Sequence, residues 1–101
     1  MHFALAIDIL ASEDRKKIIA EHIWNKILEK YKRAKRLGNF YIIKIDSQDD
    51  WKLILDSLTT YVNALEEKVH FIMTPIMTGG RYNGILKKDS WDFINEITDN
   101  K

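Results

Sequence analysis

Proline gives no backbone N–H to a sheet ladder, and this chain has a single proline, Pro75, inside an otherwise strand-like run. The stretch 69–88, VHFIMTPIMTGGRYNGILKK, therefore limits the fold more than any other. Residues 69–73 and 76–77 are strand-like. Pro75 between them calls for a sheet edge, a strand that begins after it, or a special local geometry. Gly79-Gly80 followed by RYNGIL is a hairpin signal, with a further strand after the glycines.

The chain before this stretch is more regular. Residues 3–10, FALAIDIL, are almost continuously apolar, as in a strand covered on both faces. Phe3, Leu5, Ile7 and Ile9 share one face. Ala4, Ala6, Asp8 and Leu10 share the other, where small side chains would let a helix pack close. Ser12 is a good N-cap, and Glu13 and Asp14 suit the positive end of a helix. Apolar residues then recur at helical spacing to about Arg36, predicting a helix of about six turns that Gly38 terminates. A second strand spans 40–46, FYIIKID. Ser47 caps a second helix, with Asp50 in a box-like position and a stripe of Trp51, Ile54, Leu55, Leu58, Val62 and Leu65. Asp89 or Ser90 caps a last helix through Ile97. The predicted order is β-α-β-α-β-β-α: one α/β domain over 1–101, with a four-stranded mixed sheet and helices on both faces.

Composition narrows the function by exclusion. The chain has no cysteine, which removes thiolate metal sites, cysteine nucleophiles and dithiol redox chemistry. The net charge is +1, so a surface wholly devoted to nucleic acid or anionic lipid is not expected. No apolar run approaches the roughly 18 residues of a membrane span, and the expectation is a cytoplasmic protein without a membrane partner.

The order of elements resembles the thioredoxin-like superfamily. In that family a Thr-Pro or similar dipeptide, its proline in cis, precedes the third core strand; here Thr74-Pro75 holds that place. The family's redox enzymes carry Cys-x-x-Cys after the first core strand, where this chain has Ala11-Ser12-Glu13-Asp14. The resemblance thus implies a non-redox domain that binds another protein or itself and needs no cofactor. Its contact surface would lie where Ser12, Glu13 and Asp14 meet Thr74 and Pro75, with Arg81 beside them.

Two other constellations compete with bland readings. Lys30, Lys32, Arg33, Lys35 and Arg36 gather near the predicted end of the first helix, where they could neutralise phosphates of a nucleic acid. Cations at a helix C-terminus also simply complement its dipole. Asp8 and Asp46 end two strands expected to be parallel neighbours, where paired carboxylates could hold Mg²⁺. Each could equally answer a helix N-terminus or a nearby cation. An aspartate ending the first strand is similar to the Cas2 family, whose ferredoxin-like order is β-α-β-β-α-β; a metal-dependent nuclease is what that resemblance implies. The chain departs from it by showing no strand between its first two helices and by adding a terminal helix. His2, His22 and His70 stand at no metal-binding spacing. Ser12, Ser47 and Ser90 read as caps without a nucleophile motif around them. Trp24, half-exposed on its helix, is a candidate anchor for a dimer.

Overall fold

The computed structural model describes residues 1–80 and 82–98. Strand β1, His2–Leu10, leads into helix α1, Glu13–His22. The Ser12 hydroxyl caps α1 by accepting from the Arg15 N–H at 3.3 Å, and Glu13 and Asp14 occupy the first turn. Residues Ile23–Ile27 continue it as a π-helical turn, in which the Leu28 N–H reaches back five residues to the Ile23 carbonyl at 2.9 Å. The chain then turns, and Arg33–Arg36 form strand β2. A three-residue turn brings it into β3, Phe40–Lys44. Helix α2, Gln48–Ala64, starts at Ser47, whose hydroxyl accepts from the Asp50 N–H at 3.3 Å. Strand β4, Lys68–Met73, and helix α3, Lys88–Ile97, complete the chain.

Two sequence expectations are corrected here. The first helix does not run to Arg36. Lys, Arg and Ala favour helix locally, but tertiary pairing outweighs that preference of a few tenths of a kcal/mol per residue. Leu28 and Tyr31 enter the main core, and Ala34 is buried against Ile42, Ile94 and Ile97. Gly38 is accordingly a hairpin residue, not a helix terminator: Leu37 and Gly38 both take left-handed backbone, at φ 60° and 78°. The second correction concerns residues 82–86, which form no strand. Met77 makes only an isolated bridge to His2, and α3 starts after Lys87, not at Asp89 or Ser90. The Thr74–Pro75 peptide is trans.

The sheet has the order β2-β3-β1-β4, and every neighbouring pair is antiparallel. A mixed sheet was expected because β1 and β3 read as one crossover apart. The intervening β2 adds a reversal, so β3 returns alongside β1 in the opposite sense. The first six elements run β-α-β-β-α-β, a ferredoxin-like order, followed by α3.

Alternation along the strands sorts their side chains into two clusters. Phe3, Leu5, Ile7, Tyr41, Ile43 and Val69 pack with Ile19 and Ile23 and with Ile54 and Leu58 of α2. Ile42 points the other way and joins Ala34, Ile94 and Ile97 in a smaller cluster under α3.

Candidate functional site: the open half of the sheet

Among the strands, helix α3 packs chiefly on β2 and β3. The cross-strand pairs Ala6–Ile72, Asp8–His70 and Leu10–Lys68 of β1 and β4 share the face on which Ile42 lies, and all six residues are exposed. Leu10 keeps 51% and Ile72 73% of its surface. The cover on this face ends between Ala4, which is buried, and Ala6. Farther along, His2 is buried beneath Tyr82, with His2 Nε2 3.1 Å from the Tyr82 hydroxyl. The small residues of β1 were expected to admit a helix; instead this half of the face is bare. The period-2 pattern of KVHFIM, with Lys68, His70 and Ile72 on one side, carried that information.

The structure does not bring together the residues expected to form a contact surface. β4 runs antiparallel to β1, so Thr74 stands beside Ala4 while Ser12–Asp14 follow Leu10. The interval from Ala4 to Leu10 alone is about 20 Å at ~3.3 Å per residue. Thr74 is fully engaged where it stands. Its N–H donates to the Ala4 carbonyl at 2.9 Å, and its hydroxyl accepts from the Ala4 N–H at 2.8 Å and donates to the Pro75 carbonyl at 3.1 Å. Its own carbonyl accepts from the Trp51 indole N–H at 3.1 Å. It closes the sheet and offers no free edge to a peptide. Pro75 is exposed beside it, and Arg81 lies outside the described residues. Ser12 caps α1, Glu13 accepts from the Lys16 ammonium at 3.4 Å, and Asp14 is exposed.

Asp8 and Asp46 are likewise separated. Lys44 pairs with His2, so Asp46 lies past one end of β1 while Asp8 sits toward the other, beyond about 20 Å of strand. One chain cannot place both on one cation. The Asp46 N–H donates to an Asp50 carboxylate oxygen at 3.1 Å, beside the capped start of α2. Among the described residues, no group of three or more His, Asp or Glu side chains is placed to hold a metal ion.

The five basic residues form no helical patch, and each has a contact. Lys30 lies over the Tyr31 ring and Lys35 over the Tyr41 ring, at 5.4 and 5.5 Å. Lys32 pairs with Glu96. The Arg33 guanidinium sits 4.2 Å from the Trp24 ring and donates to the Tyr31 carbonyl at 3.0 Å and to the Glu29 carbonyl at 3.2 Å. Burial lowers its pKa. Arg36 donates to the Ser90 hydroxyl at 3.1 Å and to the Lys35 carbonyl at 2.8 Å. Trp24, expected as an anchor, is thus half-buried under Arg33 and beside Tyr41. His22 stacks on Tyr61 at 4.1 Å.

Among the described residues, no helix is long and apolar enough to cross a membrane. Comparisons with protein-family models, with curated proteins and with solved structures find no match to this chain.

Proposed function

We propose that this chain is a binding domain, without chemistry of its own, that holds another protein chain against the open half of its sheet. The observation that carries this reading is the patch itself: Ile72 and Leu10 are exposed on strands whose opposite faces are core. We take α1 and α2 to cover one face and α3 to cover only part of the other. Burying apolar surface returns about 25 cal/mol per Å², and a partner would recover what Ile72 and Leu10 leave in water. Lys68, His70 and Asp8 add polar contacts for orientation. The surface implied by the thioredoxin-like resemblance, at Ser12–Asp14 and Thr74–Pro75, lends no support, because its two halves stand apart. The test is affinity capture with Ile72→Asp beside Lys52→Asp, a control on α2. The first should lose a captured partner that the second keeps. Equal capture by both would place the site elsewhere.

A second reading has one observation behind it. β2 supplies the strand whose absence from the sequence reading set the chain apart from the Cas2 order, which favours a metal-dependent nuclease using Asp8. Asp46 has no part in that reading. Incubation of DNA and RNA with stoichiometric protein and Mg²⁺, with Asp8→Asn as control, decides it: no Asp8-dependent cleavage removes the nuclease. The nucleic-acid reading built on residues 30–36 has less support, since those cations stack on rings or bond within the chain.

A further inference from the structure

The two edges of the sheet are finished differently, and the difference names a partner. In antiparallel pairing, alternate residues bond to one neighbour or the other. The Ile7 N–H donates to the Asn39 carbonyl and the Ile45 N–H to the Met1 carbonyl, so odd residues of β1 bond toward β3. The Thr74 N–H donates to Ala4, so even residues of β1 bond to even residues of β4. Val69, Phe71 and Met73 therefore aim their N–H and C=O groups away from the sheet. β4 is an outer strand, and among the described residues nothing bonds those groups.

The opposite edge is partly occupied. The Lys44 N–H donates to the Lys32 carbonyl, so residues 31, 33 and 35 face outward there. The outward carbonyl of Tyr31 is taken by the Arg33 guanidinium and that of Lys35 by Arg36. Short length and cationic side chains further discourage pairing. β4 has six residues and one cation, Lys68, at its start.

We propose that β4 is a pairing edge and that its partner is β4 of a second copy, antiparallel about a two-fold axis at Phe71. This rests on the binding reading above and names its partner. In that register Phe71 meets Phe71, and Val69 meets Met73 of the second copy, so apolar side chains on the core side face apolar ones. The charges fit this occupant as well. The two Lys68 side chains fall at opposite ends of the ribbon, about 20 Å apart at ~3.3 Å per residue, whereas parallel pairing would put them side by side. Ile72 lies beside His70 of the second copy, and the two bare half-faces join into one surface. The closed, isologous contact ends assembly at two chains.

Sedimentation velocity and amide hydrogen exchange on the full chain test this, both followed from low to high micromolar concentration. The expected result is a mass that rises from 11.9 kDa to twice that value. Exchange at Val69, Phe71 and Met73 should slow by about tenfold or more over the same range, with Arg33 and Lys35 unchanged. A dimer whose three amides stay unprotected overturns the edge and leaves binding through the open face standing. A monomer at every concentration overturns the second copy as partner; if Ile72-dependent capture of a different chain persists, the binding reading survives it. Ile72→Lys, which sets a cation beside His70 of the second copy, should weaken the dimer while leaving the circular dichroism spectrum intact.

Discussion

The β2–β3 half and the β1–β4 half belong to one sheet but meet water differently. On the β2 side, α3 lies over Ala34 and Ile42, and arginine side chains occupy two outward carbonyls, those of Tyr31 and Lys35. On the β4 side, the corresponding face is bare and the edge backbone is open. A sheet finished on one side only has its unfinished business on the other, which is why the binding reading is placed there.

The largest effect that would break this comparison is in the α3 cluster. Ile97 is fully buried, and Ile97→Ala should cost about 2–5 kcal/mol in urea unfolding. Ile72→Ala, on the bare side, should stay within about 0.5 kcal/mol. Similar losses at the two sites would mean that both halves are covered alike. A smaller effect concerns the β2–β3 turn. Leu37 is 77% exposed and holds left-handed backbone that costs a non-glycine residue about 1–2 kcal/mol. Leu37→Gly should raise stability by up to about 1 kcal/mol, part of the relief being offset by the freedom glycine gains when unfolded. A loss would show that Leu37 makes contacts beyond those seen.

Arg33→Met sharpens the contrast between the edges. Loss of the Trp24 contact and of two carbonyl bonds should cost about 1 kcal/mol and leave the Tyr31 carbonyl open. Amide exchange along β2 should then quicken while β4 is unaffected. The smallest effect is a pH dependence at the start of β4. Arg15 donates to Glu67 at 2.6 and 3.3 Å and holds its carboxyl below the usual value of 4.5. A lowered folded pKa means a contribution complete above that value and lost as the pH falls through the folded one. The melting temperature of the wild type should therefore fall more steeply than that of Glu67→Gln as acid is added below pH 4.5. Parallel curves would show that the pair contributes nothing.

The sequence was legible where one periodicity ruled. The apolar alternation of β1 and β3, the stripe of α2 and the serine caps at Ser12 and Ser47 all stand where spacing put them. β2 was not legible, because all four residues of RAKR are good helix formers and only one is apolar. Its strand character comes from pairing with β3 and from burial of Ala34 under α3, neither of which is local. A residual signal existed in Gly38-Asn39, a pair that suits a hairpin as well as a helix end. Missing β2 reversed the sense of everything after it. Asp8 with Asp46, and Ser12–Asp14 with Thr74–Pro75, were therefore expected to converge when each pair is spread along β1. The bare face was half legible: alternation placed Ala6, Asp8 and Leu10 together, but not what would lie over them.

The π-helical turn at Ile23–Ile27 gives this part of the chain room to lose a residue. It holds one residue beyond an α-helical count and takes up the extra one within the turn. Removing a single codon there, such as that of exposed Asn25, would let α1 regain ordinary winding. The bond from the Leu28 N–H to the Ile23 carbonyl would then span four residues instead of five, with Leu28 and Tyr31 still on the core. The same deletion in an α-helical turn, at exposed Lys17 for example, would turn one side of the helix against the other by about 100°. In a mutational library, loss of Asn25 should therefore be tolerated better than loss of Lys17.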